Sequence, residues 1–163
     1  MLPDVLNYNL IVVFCGTAVG AKSAKDAAYY AGPGNKFWRT LYAIGLTPRV
    51  LSPSEYASLI EYGVGLTDLV KAKSGSDAIL ASGDFGHSEF EAKIRRFAPR
   101  LVGFNGKRAA QEYLGRKKVS FGPLDEQIDR TRLFVLPSTS GAANGYWDEK
   151  PWRQLGEICT TIV

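Results

Sequence analysis

Leu10-Ile-Val-Val-Phe-Cys15 is an uninterrupted apolar run, and Gly16 follows it directly. A β-rich run without polar alternation is typical of a strand that is buried on both faces. Leu101-Val-Gly-Phe104 and Leu133-Phe-Val-Leu136 have the same character, and each is followed by residues that favour turns. These three runs predict the central strands of one buried sheet.

Helical periodicity fills the intervals between these runs. Apolar residues recur at helical spacing in 36–45, and again in the segment that opens with Ser52-Pro53-Ser54-Glu55, where a serine can cap the helix and the proline suits an early position. Two more helices are predicted over 90–97 and 109–114. Strands that alternate with helices favour the α/β class. We therefore predict a three-layer α/β/α sandwich with a central, mainly parallel, short sheet.

The composition is that of one ordinary globular domain, spanning residues 1–163. No repeat or long linker divides the chain, and 45% hydrophobic with 22% charged residues is a normal balance. Near the start, the longest apolar run has six residues, too few to span a bilayer, and no basic leader precedes it. We therefore expect a cytoplasmic protein without a membrane partner. Two cysteines and one histidine make a protein-held metal centre unexpected, and we predict no cofactor.

Basic residues concentrate in one stretch of the chain. Residues 93–132 contain eleven Lys or Arg against four Asp or Glu, within a chain of net charge +4. Such a stretch suits a phosphate backbone, although a solvated surface without a partner would have the same composition. Charge alone therefore leaves nucleic-acid binding open.

The loops after the predicted strands are the places to look for a site, because ligands of parallel α/β sheets bind beyond the carboxyl ends of the strands. Gly16-Thr-Ala-Val-Gly20 can offer backbone N–H groups to a ligand, but it lacks the Gly-Lys-Ser/Thr ending of a phosphate-binding P-loop. A tight turn without a ligand is the alternative. Leu136-Pro-Ser-Thr-Ser-Gly-Ala-Ala-Asn144 could wrap a phosphate with its hydroxyls and small residues, or it could be a flexible surface loop.

A third candidate loop is Gly63-Val-Gly-Leu-Thr-Asp-Leu-Val-Lys71, in which Asp68 stands among apolar residues. Burial of an unpaired carboxylate is costly, so such a group usually has a partner or a task when it is buried. Asp68 is therefore either an exposed loop or cap residue, or a partly buried functional group. Both interpretations stay open on the residues alone.

Five blocks of the sequence resemble, in the same order, the mismatch-specific uracil/thymine-DNA glycosylase family of the uracil-DNA glycosylase superfamily. The resemblance covers essentially the whole chain, and its blocks are Val12-Val-Phe-Cys-Gly-Thr-Ala-Val-Gly20, Gly32-Pro-Gly-Asn-Lys-Phe-Trp38, Gly65-Leu-Thr-Asp-Leu-Val70, Phe104-Asn-Gly-Lys107 and Leu136-Pro-Ser-Thr-Ser-Gly141. It implies a parallel sheet between helices and a pocket for a flipped-out base. It further implies a monomeric, monofunctional repair enzyme that hydrolyses the N-glycosidic bond of uracil in DNA. Other damaged or mismatched bases, and single-stranded as well as double-stranded DNA, stay open as substrates.

The first motif of that family reads Gly-Ile-Asn-Pro-Gly, and its asparagine positions the hydrolytic water. Here Gly16 and Gly20 match, but Ala18 stands in place of the asparagine and cannot hold a water through its side chain. Tyr30 falls where the family has an aromatic ring that stacks on the extruded base, a role that would survive loss of the hydroxyl. The resemblance thus leaves the water-positioning role without its usual residue.

We expect Asp68 to be the catalytic residue that replaces the asparagine, because the family fold brings its segment to the pocket and a carboxylate can assist an attacking water. Asp26, Asp77 and Asp84 compete, but they lie in polar sequence surroundings. Two other interpretations stay open. One is a catalytically weak or inactive module that binds damaged DNA, and the other is a nucleotide-binding α/β protein unrelated to DNA.

The resemblance also assigns the remaining site residues. Base-binding residues are predicted at Gly16, Thr17, Ala18, Tyr30 and Asn35. DNA-binding residues are predicted at Gly20, Lys22, Ser23, Lys107, Ser138, Thr139, Ser140, Gly141, Ala142, Ala143 and Asn144, with Lys107-Arg108 or Arg116-Lys-Lys118 along the phosphates. Residues 142–144 lie where members of the family insert side chains between the stacked bases of DNA. The two alanines here have short side chains, which would contribute little to opening a stable base pair. Uracil in mismatches or single strands is therefore the predicted preference.

Overall fold

The computed structural model describes residues 2–17, 28–69 and 87–162. The strands are β1 (Val12–Gly16), β2 (Val64–Asp68), β3 (Leu101–Asn105), β4 (Gly122–Ile128) and β5 (Thr131–Leu136). The α-helices are α1 (Phe37–Ala43), α2 (His87–Phe97), α3 (Lys107–Leu114) and α4 (Lys150–Ile162). Two 3-10 helices span Pro53–Tyr62 and Gly141–Tyr146.

One five-stranded sheet organises the described residues, in the order β2-β1-β3-β5-β4. Neighbouring strands run parallel, except that β4 pairs with β5 in the antiparallel direction. The predicted α/β class with a central, mainly parallel sheet is confirmed. β1 is paired on both sides and all its residues are buried, which explains its unbroken apolar run.

Alternate side chains of the strands face two separate hydrophobic cores. Val12 and Phe14 of β1 belong to the core that also contains residues of α1 and α4. Val13 and Cys15 belong to the core that contains residues of α2 and α3. Because successive residues of a strand point to opposite faces, each face of the sheet is covered by its own layer of helices. The sheet therefore lies between two helical layers, as predicted.

The interpretation of 63–71 as a loop is wrong for its first part, since Val64–Asp68 is a buried strand. Gly65 interrupts the apolar pattern, and this hid the strand in the sequence. The N-terminal segment pairs with β2 here in an antiparallel bridge, and a Cβ on Gly65 would lie 2.6 Å from the backbone oxygen of Val5. Val5 and Leu66 exchange backbone hydrogen bonds of 2.8 and 2.9 Å in this bridge. The glycine is thus explained by a contact between segments far apart in sequence.

The helices predicted from periodicity are found with small shifts of their ends. The interval 36–45 contains α1, while 90–97 and 109–114 lie within α2 and α3. The segment that opens with Ser52 forms a 3-10 helix, and the Glu55 carboxylate accepts a hydrogen bond of 2.9 Å from the Ser52 N–H at its start. The sequence analysis predicts neither β4 nor α4.

Candidate active site

The carboxyl ends of β1, β2, β3 and β5 meet at one edge of the sheet, which we call the carboxyl edge. The strand register places Gly16 beside Asp68, and Asn105 beside Leu136. The loop over 138–144 starts two residues after β5 ends. Parallel topology therefore brings together Gly16, the predicted catalytic acid and the 138–144 loop.

Asp68 is the last residue of β2 and is 5% exposed. A Cβ on its neighbour Gly16 would lie 3.4 Å from Asp68 Oδ1 and 3.6 Å from the hydroxyl oxygen of Tyr30. The oxygens of Asp68 and Tyr30 therefore face the same side of Gly16, at ordinary contact distances from that point. Asp68 is therefore buried and not an exposed loop or cap residue, and its catalytic role stays a prediction.

A network of charged and hydroxyl groups restrains the end of β2. The Thr67 hydroxyl donates a hydrogen bond of 2.7 Å to Asp4 Oδ1, and Lys93 Nζ lies 2.7 Å from Asp4 Oδ2. Thr67 is fully buried, and the side chains of Asp4 and of Lys93, which pairs with Asp4, are mostly buried. Since Thr67 directly precedes Asp68, the network fixes the backbone that carries the candidate catalytic carboxylate. Sequence analysis missed Asp4, because this contact joins residues 63 positions apart.

Tyr30 lies beside Asp68 with its hydroxyl oxygen buried. Its ring stacks on Phe37 at a centroid distance of 4.1 Å and an interplanar angle of 30°. Its backbone has a φ of 52°, in the left-handed region that bulky residues seldom adopt. Burial and the charge of Asp68 raise the pKa of the Tyr30 hydroxyl, whereas the nearby Asn105 amide opposes that rise. The hydroxyl is therefore protonated at neutral pH.

Asn105 is a site residue that the sequence analysis uses only as part of a family block. Its side-chain oxygen accepts a hydrogen bond of 3.0 Å from Thr139 N, and its side-chain nitrogen donates one of 3.0 Å to Thr139 Oγ1. These two bonds tie the 138–144 loop to the end of β3. The signal in the sequence was a polar residue directly after the buried run 101–104, at a carboxyl strand end.

Asn35, which is predicted to bind the base, is engaged within the protein. Its side-chain oxygen accepts a hydrogen bond of 3.0 Å from Phe37 N at the start of α1, as asparagines before helices commonly do. The next residue, Lys36, donates its backbone N–H to Thr139 O at 2.8 Å. Base binding by Asn35 stays a prediction, and contact through its amide nitrogen would leave the start of the helix intact.

The 138–144 loop is structured by its own side chains. Ser138 Oγ accepts a hydrogen bond from Ser140 N, and Ser140 Oγ accepts one from Ala142 N, both at 3.2 Å. The second bond caps the 3-10 helix that begins at Gly141. Ala142 is exposed and Ala143 is half-buried. The internal bonding does not support the alternative of a loop without defined structure.

Contacts with the segment before α1 hold the same loop from outside. Gly141 packs so closely that a Cβ there would lie 2.9 Å from Pro33 O. The Lys36 ammonium donates to Asn144 Oδ1 and lies 5.3 Å from the centre of the Trp147 ring. The predicted base-binding segment and the predicted DNA-binding loop therefore form one connected wall of the site.

Acidic partners neutralise part of the basic stretch. Arg108 Nε lies 3.0 Å from Glu112 Oε1, and Arg116 forms an ion pair with Glu126. Lys107 is the first residue of α3 and follows shortly after the end of β3, so it lies near the carboxyl edge. Within the two predicted basic clusters, Lys107 is thus the cation whose position best suits a ligand of this site.

Several predicted residues cannot be placed. Those outside the described residues are Ala18, Gly20, Lys22 and Ser23, together with the competing acids Asp26, Asp77 and Asp84. Thr17 is described, and it is half-buried directly after β1. Over 2–17, 28–69 and 87–162, no group of three or more His, Cys, Asp or Glu side chains is arranged to hold a metal ion. Over the same ranges, no helix is long and apolar enough to cross a membrane.

Comparison with known families matches residues 3–156 of this chain to the uracil DNA glycosylase superfamily. The fold is also similar to the NMR solution structure of a candidate uracil DNA glycosylase from Methanosarcina acetivorans. That similarity has a TM-score of 0.62 and a sequence identity of 24%, and it covers 98% of this chain and 96% of the other. The structural likeness supports the fold, and the family match extends over nearly the whole sequence. The chain belongs to the uracil DNA glycosylase superfamily.

Proposed function

We propose that this protein is a DNA-repair glycosylase of the mismatch-specific type, which extrudes uracil from DNA and hydrolyses its N-glycosidic bond to leave an abasic site. The observation that carries the proposal is the buried carboxylate of Asp68 beside Gly16, at the carboxyl edge of a sheet with the superfamily's fold. An acid at this position can supply the water-handling group that Ala18 lacks.

The proposed chemistry requires the base to leave as an anion while the sugar passes through an oxocarbenium-like state. A carboxylate near the sugar stabilises the positive charge and can accept a proton from the attacking water. Asp68 is suited to both tasks, because it ends a buried strand whose backbone is restrained and because interactions between charges are stronger away from solvent. Backbone N–H groups of residues 16–20 are the proposed donors to the leaving base.

A uracil-containing oligonucleotide tests the proposal, with the same oligonucleotide carrying thymine as the matched control. Abasic sites, detected as strand breaks after alkaline treatment, would support the glycosylase. A retarded band without product would indicate the inactive DNA-binding module, the alternative that Ala18 favours. Neither product nor binding would indicate a protein unrelated to DNA.

We expect the excision rate to depend on how firmly the uracil is paired. The side chains of Ala142 and Ala143 are short and uncharged, so they add little to the opening of a stable pair, and flipping costs least at weak or absent pairs. Single-turnover rates should therefore be higher for uracil in a single strand or opposite guanine than for uracil opposite adenine. The same sequence in the three contexts provides the comparison. Equal rates in all three contexts would contradict the prediction that residues 142–144 open a stable base pair only weakly.

Lys107→Gln should weaken DNA binding and reduce its dependence on salt. Each neutralised phosphate contributes about 0.9 to the magnitude of the slope of log K against log salt concentration, so loss of one contact should lower the slope by about that amount. Fluorescence anisotropy at several salt concentrations measures both quantities. Arg130→Gln is the control, because Arg130 lies in the turn between β4 and β5, at the opposite edge of the sheet. Unchanged slopes in both variants would show that Lys107 does not contact DNA.

A further inference from the structure

The Tyr30 hydroxyl is a buried polar group that the proposed mechanism does not yet use. Its oxygen is shielded from solvent and makes no hydrogen bond of good geometry with a described residue, although the Asn105 side chain lies close enough to lower its pKa. Buried hydroxyls nearly always have a partner, and an exception suggests a catalytic role or a contact with water or ligand. A phenylalanine would fill the same ring position without leaving an unsatisfied oxygen. The hydroxyl therefore calls for a functional explanation.

The Tyr30 hydroxyl lies beside the candidate catalytic carboxylate. Its oxygen and Asp68 Oδ1 lie 3.6 and 3.4 Å from the same point over Gly16, which is the first glycine of the family's catalytic motif. The Tyr30 backbone is held at a φ of 52°, and such conformations in bulky residues persist where the surrounding structure enforces them, commonly at active sites. The Tyr30 ring stacks on Phe37 at a centroid distance of 4.1 Å, and this contact restrains the ring that carries the hydroxyl.

We propose that the Tyr30 hydroxyl and the Asp68 carboxylate together hold the water that attacks the anomeric carbon of deoxyuridine. This inference rests on the proposed glycosylase function and adds a second catalytic residue to it. Tyr30 would then supply a second hydrogen bond to the water, beside the Asp68 carboxylate that replaces the asparagine missing at residue 18. A role in stacking alone gives no reason for the hydroxyl.

The step balances without any further reactant. The water oxygen forms a bond to the anomeric carbon, the bond from that carbon to N1 of uracil breaks, and its electron pair leaves with the base. Asp68 accepts the proton that the water loses, while the Tyr30 hydroxyl donates a hydrogen bond to the water oxygen and is itself unchanged. Because burial and the charge of Asp68 raise the pKa of Tyr30, its proton is present at neutral pH.

Tyr30→Phe separates this role from stacking, because it keeps the ring and removes only the hydroxyl. We expect its single-turnover excision rate to fall about 10²-fold, the effect of losing one preorganised donor. Its affinity for DNA with 2′-fluoro-deoxyuridine, which resists hydrolysis, should stay within about threefold of wild type. Its melting temperature should change little, because no hydrogen bond of good geometry within the described residues is lost.

Tyr113→Phe is the matched control, since Tyr113 packs against the core on the α2 and α3 side of the sheet and its hydroxyl donates to Glu91 Oε2 at 2.5 Å. It should keep full activity and lose stability, the reverse of Tyr30→Phe. In the double variant Asp68→Asn/Tyr30→Phe, the rate should lie within about threefold of Asp68→Asn alone, because both side chains act on one water.

Three results would overturn the inference while the proposed function stands. They are a Tyr30→Phe rate within about threefold of wild type, a loss that appears only in DNA affinity, and fully additive losses in the double variant. If the wild-type protein forms no abasic sites from uracil-containing DNA, the proposed function fails and the inference fails with it.

Discussion

Asp68→Asn should lower the single-turnover rate of uracil excision by about 10²–10⁴-fold, the range expected when a positioned acid–base group is removed. The substitution keeps the size of the side chain but removes the negative charge and the ability to accept a proton. Asp68 is 5% exposed at the end of a paired strand, so the asparagine should occupy the same place. Quantified abasic sites give the rate, and anisotropy with labelled DNA gives the affinity, which should change little.

Asp125→Asn is the control for a general effect of charge, because Asp125 is exposed on β4, the edge strand farthest from β2. It should excise uracil at the wild-type rate. A loss of less than about tenfold in Asp68→Asn would show that this carboxylate does not drive the reaction. In that event Asp77 and Asp84 are the next acids to substitute.

Trp152→Ala should reduce the free energy of unfolding by about 3–5 kcal/mol, the usual cost of removing a large aromatic side chain from a core. Trp152 of α4 is fully buried and stacks on Phe14 of β1 at a centroid distance of 5.3 Å. Its indole N–H donates a hydrogen bond of 2.9 Å to Pro137 O, directly before the 138–144 loop. Urea denaturation followed by circular dichroism measures the change.

Trp152→Phe separates the contribution of ring packing from that of the indole hydrogen bond. The phenyl ring keeps most of the packing on Phe14, but the carbonyl of Pro137 loses its donor, so a loss of about 1–3 kcal/mol is expected. A change below about 1 kcal/mol in Trp152→Ala would mean that the residue is not part of the stabilising core. The slope of the free energy of unfolding against urea concentration should be similar in all variants if each unfolds in a single step.

The parts of the fold that the sequence predicts are those in which burial is complete and local. β1, β3 and β5 are interior strands, so their apolar runs are unbroken and visible without knowledge of their neighbours. β4 is an edge strand with alternating exposed residues, including Pro123 and Asp125, and such a pattern is hard to distinguish from a loop. The helical spacing of Trp152, Leu155 and Cys159 would have revealed α4.

The residues of the candidate site also differ in how far the sequence alone reveals them. Asp68 could be found, because a carboxylate among apolar residues is visible in the sequence. Asp4 and Asn105 act through partners that only folding brings near, and the left-handed backbone of Tyr30 leaves no trace in composition or period. The family pattern predicts that the Tyr30 ring stacks on the base. The structure shows in addition that the Tyr30 hydroxyl is buried.

The bonds that Lys36 makes to the 138–144 loop have a consequence for the thermodynamics of DNA binding. Its backbone N–H reaches Thr139 O at 2.8 Å and its ammonium reaches Asn144, and neither bond requires a ligand. A loop that is already ordered loses little conformational entropy when DNA arrives. The heat-capacity change of binding should therefore match the value expected from the surface that the complex buries. A segment that folds on its ligand gives a larger change. Calorimetry over a range of temperatures measures this quantity.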